Sequence, residues 1–82
     1  MDNKVLVKLV VPEIDMKYDL YLPISKKIGN IINLLSSSIN ELNGINVQFK
    51  LLYNASTGEY YKYNDLLANT NIRNGTKLIL IR

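Results

Sequence analysis

The segment IRNGTKLILIR, residues 72–82, decides how this chain folds. Asn74-Gly75 is a strong signal for a tight turn, and residues 76–81 after it are rich in aliphatic side chains. The leucines and isoleucines follow one another without a break, so both faces of the predicted strand are apolar. Because such strands are typical of the interior of a sheet, we expect residues 76–81 to lie between two other strands.

Two alternating segments near the start of the sequence predict a β-hairpin. In residues 4–11 every second side chain is valine or leucine, and residues 17–22 alternate again. A period of two residues is typical of strands that bury one face. Residues 12–16 between them begin with proline and contain two acids, which favours a connecting turn.

The sequence after the hairpin predicts one amphipathic helix. Ser25 can accept a hydrogen bond from a free amide of the first turn, and Gly44 is the expected C-terminal stop. Gly29 lowers helix stability by about 1 kcal/mol relative to alanine. Because glycine has no side chain, we expect it to allow a close approach between helix and sheet. The apolar side chains recur at spacings of three and four, which places them on one stripe. The stripe consists of Ile28, Ile31, Ile32, Leu35, Ile39 and Leu42.

Three shorter elements complete the predicted order. Residues 47–53 alternate as a third strand, residues 59–63 make a short fourth strand, and residues 66–68 fit a single helical turn capped by Asn64 or Asp65. The sequence therefore predicts an α+β fold, in which a mixed sheet of four to five strands carries one main helix on one face. We expect the last strand to pair in parallel with the first, which is the arrangement of the ubiquitin-like β-grasp.

Composition limits the domain count and the classes of partner. The 82 residues predict one domain, residues 1–82, with no cysteine, no histidine and a formal net charge of +3. The lysines are scattered, whereas nucleic-acid binding needs lysine and arginine clustered along one face, so no nucleic-acid partner is expected. No segment approaches the roughly 20 apolar residues of a membrane span, so we expect a cytoplasmic protein without direct membrane insertion.

Residues that carry catalysis or bind cofactors are scarce. The serines at 36–38 have no histidine to activate them, and there is no cysteine nucleophile. The seven acids are spread along the chain without an evident partner base. The four glycines are isolated, so they form no phosphate-binding loop. The sequence therefore predicts a protein that is not an enzyme, with no metal site and no cofactor.

Two longer segments resemble ubiquitin-like proteins. YDLYLPISKKIGNIINLL, residues 18–35, contains a strand that ends in proline and a helix with an isoleucine stripe. LLANTNIRNGTKLILI, residues 66–81, contains a leucine, a spacer, an isoleucine, a turn and a closing strand. The residues that match ubiquitin-like core positions are Ile28, Ile32, Leu35, Leu67, Ile72, Leu78 and Leu80.

Within that superfamily, the chain is similar to the YukD/EsaB family, the small cytosolic accessory proteins of type VII secretion in Gram-positive bacteria. The resemblance implies a non-catalytic interaction module that assists or regulates a bacterial type VII secretion system. It also implies that the protein partners are components of the secretion machinery. The residues that carry this resemblance are Tyr18-Asp19-Leu20, Leu22-Pro23, Ile72, Asn74-Gly75 and Leu78.

The sequence departs from the conjugated relatives at its end. Ubiquitin and the sulfur-carrier β-grasp proteins act through a C-terminal Gly-Gly, and no Gly-Gly occurs in this sequence. Because the chain ends in Ile81-Arg82, within the predicted strand, we expect it not to be conjugated. Two alternatives stay open. One is a β-grasp modifier or sulfur-carrier relative that has lost its diglycine tail, and the other is a small RNA-binding module whose tyrosines at 60, 61 and 63 stack on bases.

The predicted binding site is the sheet face that the helix leaves uncovered. If Val7, Leu9 and Leu80 face the helix, strand alternation turns their neighbours outward. We expect an apolar patch rimmed by lysines, which favours a protein partner with an acidic surface. A homodimer through the same face, or a surface shaped by strand propensity alone, are the other interpretations. The predicted protein-binding residues are Leu6, Lys8, Val10, Lys50, Leu52, Lys77, Ile79 and Ile81.

Overall fold

The architecture is a four-stranded mixed sheet with one helix on one face. The computed structural model describes residues 3–82. The α+β fold of the sequence analysis is confirmed, and the hairpin, the helix and the last strand lie where the periodicity predicts them. The elements are β1 (Lys4–Val11), β2 (Met16–Pro23), α1 (Ile28–Asn43), β3 (Leu51–Asn54) and β4 (Lys77–Ile81), with 3₁₀ helices at Pro12–Ile14 and Leu67–Asn69.

The strands follow the spatial order β2-β1-β4-β3. β1 is antiparallel to β2 and parallel to β4, and β3 is antiparallel to β4. Leu9 lies beside Leu78 in the parallel pair, and Leu80 lies beside Leu52 in the antiparallel pair. β4 therefore occupies the interior of the sheet next to β1, as its apolar sequence predicts.

The turn at Asn74-Gly75 fixes β4 against β1. Gly75 has a φ of +90°, a conformation that glycine adopts without strain. Its N–H donates to the carbonyl oxygen of Leu6 at 2.8 Å, and Oδ1 of Asn74 accepts from the Leu6 N–H at 2.8 Å. The next contact along the strands joins the Lys8 N–H to the carbonyl oxygen of Thr76 at 3.0 Å. The turn thus satisfies both backbone groups of Leu6 and sets the register of the parallel pair.

The core lies between α1 and the inner sides of the strands. Five of the six side chains on the predicted helical stripe are buried, and the sixth, Leu42, is 74% exposed. The buried apolar residues are Val7, Leu9, Val11, Leu22, Ile28, Ile31, Ile32, Leu35, Ile39, Phe49, Leu52, Leu67, Ile72, Leu78 and Leu80.

The start of α1 is capped by backbone groups and not by a side chain. The predicted N-cap at Ser25 is wrong, because the helix begins at Ile28 with Lys27 as its N-cap residue and no side-chain cap. The Ile28 N–H donates to the carbonyl oxygen of Asp65 at 2.9 Å, and the Gly29 N–H donates to that of Tyr63 at 3.0 Å. These two bonds satisfy amides that a helix end leaves free.

Gly29 permits the close approach that this capping needs. A Cβ atom at Gly29 would lie 3.3 Å from both Cβ and the carbonyl oxygen of Tyr63. The close neighbour of Gly29 is therefore the loop that contains Tyr63, and not the sheet as the sequence analysis expected.

The end of α1 holds the next segment by a side chain. Gly44 ends the helix as predicted, with a φ of +62°. Nδ2 of Asn40 donates to the carbonyl oxygen of Val47 at 2.8 Å, and Oδ1 of Asn40 accepts from the Val47 N–H at 2.9 Å. Asn40 thus uses the Val47 N–H that a sheet partner would need, and β3 starts at Leu51 and not at residue 47 as predicted.

Two other predicted elements are reduced in the structure. The proposed strand at residues 59–63 is a single bridge between Tyr53 and Tyr60. The predicted helical turn is a 3₁₀ helix at Leu67–Asn69, and its N-cap residue Leu66 contributes no side-chain cap. The described sheet therefore has four strands, the lower of the two numbers predicted.

The Asn40 contact generates a stability prediction. Replacing Asn40 by alanine removes two hydrogen bonds and leaves the part-buried Val47 backbone short of partners, which should lower the free energy of unfolding by about 2 kcal/mol. Asn33→Ala is the matched control, because Asn33 is an exposed asparagine of the same helix. We expect the control to match or exceed the unmodified chain, since alanine favours helix by up to about 0.7 kcal/mol. Urea denaturation followed by circular dichroism measures both, and equal stabilities of the two variants would contradict the role of Asn40.

Candidate functional site on the outer sheet face

The sheet face opposite α1, named the outer face below, has no covering element within residues 3–82. The strand register places alternate residues of all four strands on it. Each of these side chains is exposed or half-buried. They are Lys4, Leu6, Lys8 and Val10 of β1, Lys17, Asp19 and Tyr21 of β2, Leu51 and Tyr53 of β3, and Lys77, Ile79 and Ile81 of β4.

An apolar row crosses the middle of the outer face. Val10 lies beside Ile79, and Ile79 lies opposite Tyr53. The Tyr53 ring meets the Tyr60 ring in a tilted arrangement, with centroids 5.1 Å apart. This row extends from β1 through β4 to β3 and the loop after it, so the apolar side chains form one continuous surface.

A second apolar pair lies nearer the start of β1. Leu6 lies opposite Tyr21, and these side chains are 39% and 53% exposed. Exposed large apolar side chains that share a face with others are typical of protein-binding sites, whereas isolated ones need no explanation. The outer face has both the grouping and the exposure that such a site requires.

Lysines dominate the charge of the outer face. Lys8 lies between Asp19 on β2 and Lys77 on β4, and Lys17 lies opposite Val10. Together with Lys4, the face carries four lysines and one acid. The salt bridge found within residues 3–82 joins Arg82 to Glu13 and involves none of these lysines. The lysine charges of the outer face are therefore directed to solvent.

A shallow groove of about 300 Å³ runs among these lysines. Lys8, Lys17 and Lys77 line it together with Val10 and Asp19. An acidic side chain of a partner that enters this groove meets three ammonium groups and one carboxylate. The local electrostatics therefore favour an anionic partner group.

The structure brings six of the eight predicted site residues onto one face. Their side chains all lie on the outer face, as strand alternation predicts, while a binding role for them remains a prediction. These residues are Leu6, Lys8, Val10, Lys77, Ile79 and Ile81.

The other two predicted site residues, Leu52 and Lys50, lie elsewhere. Leu52 is fully buried against the core, so its predicted outward orientation is wrong. The sequence analysis assumed unbroken alternation through residues 47–53, but Phe49 and Leu52 are both buried although they are three positions apart. The alternation therefore breaks between them, and Leu51 takes the outward position. Lys50 precedes β3 and lines a cleft beside α1.

Sequence reasoning missed the contribution of β2 and of two tyrosines. Lys17, Asp19 and Tyr21 lie on the outer face because the hairpin register pairs them with Val10, Lys8 and Leu6. Applying alternation to both hairpin strands at once would have placed all three there. No comparable signal was available for Tyr53 and Tyr60, because their position depends on where the alternation of β3 breaks.

The tyrosines considered as base-stacking residues have partners within the chain. Tyr60 packs on Tyr53, and the Tyr63 hydroxyl donates to the carbonyl oxygen of Lys50 at 2.5 Å. The Tyr61 hydroxyl donates to Oδ1 of Asn71 at 2.6 Å and accepts from Nδ2 of the buried Asn54 at 3.1 Å. These contacts give each tyrosine a structural role and favour packing over the base-stacking alternative.

Partial burial raises the pKa of the Tyr61 hydroxyl above its ordinary value of 10.0. The hydrogen bond from Asn54 opposes this shift because it stabilises the phenolate, and the negative charge of Glu59 adds to it. The Tyr61 hydroxyl therefore stays neutral across the ordinary pH range and keeps its hydrogen bonds to Asn54 and Asn71.

Residues 3–82 contain no group of three or more acidic, cysteine or histidine side chains placed to hold a metal ion. Within the same residues, no helix is long and apolar enough to cross a membrane.

Comparison with known proteins identifies the fold. No known family model and no curated protein matches this sequence. A chain of the structure described as "Molecular Mimicry of SUMO promotes DNA repair" is similar with a TM-score of 0.76 and 14% identity, over 98% of this chain and 92% of that chain. An N-terminal ubiquitin-like domain solved in solution is similar with a TM-score of 0.70 and 15% identity, over 96% and 74%. The chain has the ubiquitin-like β-grasp fold.

A third likeness is to one chain of a larger membrane complex. A chain of the ESX-5 inner membrane complex is similar with a TM-score of 0.67 and 14% identity. The match covers 95% of the present chain but 20% of the ESX-5 chain, so this chain spans about one fifth of that protein. At such identities the three likenesses establish a shared fold.

The position of Leu52 generates a test of the outer face. Leu52→Glu places a charge in the core and should unfold the domain, because the cost of an unpaired buried charge exceeds the free energy of unfolding of a small domain. Leu51→Glu is the matched control, since the half-buried Leu51 lies on the outer face, and it should cost about 1 kcal/mol. Circular dichroism and urea denaturation distinguish the two. Unfolding of both variants, or of Leu51→Glu alone, would contradict this assignment of faces.

The raised pKa of Tyr61 generates a prediction at alkaline pH. The unfolded chain releases the Tyr61 proton near pH 10, whereas the folded chain releases it at higher pH, so Tyr61 lowers the free energy of unfolding as pH rises above about 10. Tyr61→Phe cannot titrate and loses two hydrogen bonds, which should cost about 1 to 2 kcal/mol near neutral pH. The stability difference between the unmodified chain and Tyr61→Phe should therefore narrow above about pH 10. Urea denaturation as a function of pH measures this difference, and a constant or widening gap would contradict it.

Proposed function

We propose that this chain is a non-catalytic interaction module that binds an acidic surface of another protein through its outer face. The observation that carries the proposal is the combination on one uncovered face of a continuous apolar row with four lysines and one acid. The apolar row supplies the binding energy, and the lysines select the partner by charge.

The size of the apolar surface fits reversible binding. Covering about 300 Å² of apolar surface contributes on the order of 7 kcal/mol before the entropy of association is subtracted. The net affinity from this face alone is therefore modest. Lysines at the rim increase the rate of encounter with an acidic partner and make that rate depend on salt.

The same charges disfavour a second copy of this chain as the occupant. A symmetric dimer through the outer face would bring Lys8, Lys17 and Lys77 of both copies towards one another, while each copy offers one carboxylate, Asp19. Like charges at an interface cost free energy. We therefore assign the face to a different protein of opposite charge.

The cellular setting we propose is a type VII secretion system of Gram-positive bacteria, in which the chain acts in the cytoplasm as an accessory or regulatory component. Two observations support this setting. The sequence resembles the YukD/EsaB family at the residues quoted above, and the fold occurs in a chain of the ESX-5 inner membrane complex. The partners would then be components of the secretion machinery.

A role as a conjugated modifier or sulfur carrier receives less support. Those activities need a Gly-Gly pair, and none occurs in the 82 residues. An RNA-binding role receives less support as well, because the tyrosines it requires contact other parts of the chain.

Ile79→Glu tests the proposed face. Ile79 lies at the centre of the apolar row, half-buried, so the variant should stay folded but lose its partner. Leu34→Glu is the matched control, because Leu34 is an aliphatic residue of α1 that is 55% exposed. Each tagged chain is expressed in the bacterium that encodes it, and proteins bound to it are identified by mass spectrometry. We expect components of a type VII secretion machinery with the unmodified chain and with Leu34→Glu, and at least tenfold less with Ile79→Glu, which corresponds to about 1.4 kcal/mol.

Three results would contradict the proposal. Equal recovery of the machinery by both variants would remove the outer face from the interaction. If no chain recovers a component of the machinery, the proposed secretion setting is wrong. If the purified chain sediments as a dimer and Ile79→Glu dissociates it, the partner at the outer face is a second copy of this chain.

A further inference from the structure

A second surface feature lies on the other side of the sheet, between α1 and the segment that leads into β3. It is a cleft of about 580 Å³, a size that is typical of ligand-binding sites. Its walls are the first two turns of α1 on one side and residues 48–50 with Tyr63 and Asn64 on the other. None of the outer-face residues lines it, so the cleft is a separate surface.

The cleft is positively charged. Lys27 and Lys50 both line it, both are exposed, and neither forms a salt bridge within residues 3–82. The lining contains no aspartate or glutamate. The two lysines enter from opposite walls, so a negatively charged group bound between them would be attracted from both sides.

The polar side chains of the cleft match a peptide backbone. Asn30, Asn33, Gln48 and Asn64 line it, and no hydrogen bond joins any of these four carboxamides to another group of residues 3–82. A carboxamide offers both N–H donors and an oxygen acceptor, which complement the C=O and N–H of a peptide bond. Four such groups along one cleft fit a chain segment better than a small anion.

The wall made by residues 48–49 adds backbone groups. The N–H and C=O of Gln48 and Phe49 have no hydrogen-bond partner in the described part of the chain. They lie between Val47, which Asn40 bonds, and β3, which begins at Leu51. Free N–H and C=O groups on an accessible segment, such as those of the exposed Gln48, are the feature that strand addition by a peptide uses.

We propose that this cleft binds an extended acidic segment of a partner protein. The segment lies along residues 48–50, its peptide groups pair with the carboxamides and the free backbone, and its carboxylates contact Lys27 and Lys50. The buried side chains of Ile32 and Phe49 form the apolar part of the lining. This site is independent of the outer face and needs neither the secretion setting nor the partner proposed above.

The observations favour a peptide over a nucleic acid. Single-stranded nucleic acids bind through several cationic contacts and through aromatic stacking. The cleft offers two lysines, and the hydroxyl of its tyrosine, Tyr63, is bonded to the carbonyl oxygen of Lys50.

The test is a titration of the ¹⁵N-labelled full chain, followed by NMR, with acetylated and amidated hexaglutamate as the probe. We expect saturable shifts of the backbone and carboxamide resonances of Asn30, Gln48 and Asn64, whether or not the lysines of the outer face also respond to the peptide. Hexaglutamine of the same length should bind at least tenfold more weakly. Equal binding of the two peptides, or shifts confined to the outer face, would overturn the proposal.

Charge-reversal variants distinguish binding at the cleft lysines from binding that depends only on the net charge of the protein. Lys27→Glu with Lys50→Glu should weaken hexaglutamate binding about tenfold or more, because two charge pairs are lost and replaced by repulsion. Lys26→Glu with Lys62→Glu is the matched control, because both lysines are exposed, neither lines the cleft, and the net charge changes by the same amount. Equal loss in the two double variants would overturn the proposal, since binding would then depend on net charge alone.

A second variant blocks the cleft without changing its charge. Asn33 is an exposed helical residue on the cleft wall, so Asn33→Trp should leave the fold intact and occupy the space where the peptide lies. We expect loss of the hexaglutamate shifts with an unchanged circular dichroism spectrum. Unaltered binding by this variant would overturn the proposal, and so would tighter binding of a uridine hexanucleotide than of hexaglutamate at the same resonances.

Discussion

The parallel pairing of β1 with β4 is the constraint on which the rest of this structure depends. It places two aliphatic strands side by side in the middle of the sheet, and their inner side chains form the surface on which α1 packs. The pairing joins residues near the beginning of the sequence to residues near its end. Closing this long loop costs entropy, and contacts between sequence neighbours do not offset that cost. The turn at Asn74-Gly75 compensates by bonding both backbone groups of Leu6, which fixes the register at the point where β4 starts.

The same pairing determines where the two candidate sites lie. Among residues 3–82, α1 is the one long helix, and it occupies one side of the sheet. The outer face therefore stays open and presents the alternate residues of all four strands. The cleft arises from the opposite cause, a segment that is kept out of the sheet. Asn40 bonds both backbone groups of Val47, and residues 48 and 49, which follow it, stay outside β3. One site therefore results from regular strand geometry and the other from its interruption.

Periodic features of this fold could be predicted from sequence, and features that depend on contacts between distant segments could not. Residues 4–11 and the stripe from Ile28 to Ile39 were predictable because alternation and helical spacing are local properties. The N-cap was not, since the groups that cap α1 belong to Asp65 and Tyr63, far along the chain. For the candidate site, Ile79 was placed correctly, whereas Leu52 was misplaced because the sequence carries no mark of the break in alternation before β3.

The helix is fastened at both ends to segments that follow it in the chain, and this has a consequence for how the domain unfolds. Its first amides donate to carbonyl oxygens of the loop at 63–65, and Asn40 near its end forms hydrogen bonds with the backbone of Val47. Alone, a helix of 16 residues with Gly29 in its first turn would have little order in water. Melting of α1 thus requires release of the loop and of the approach to β3, and the loss of any one of these frees the others. The ubiquitin-like domain should therefore open as one cooperative unit, with no helix-only or sheet-only intermediate that persists.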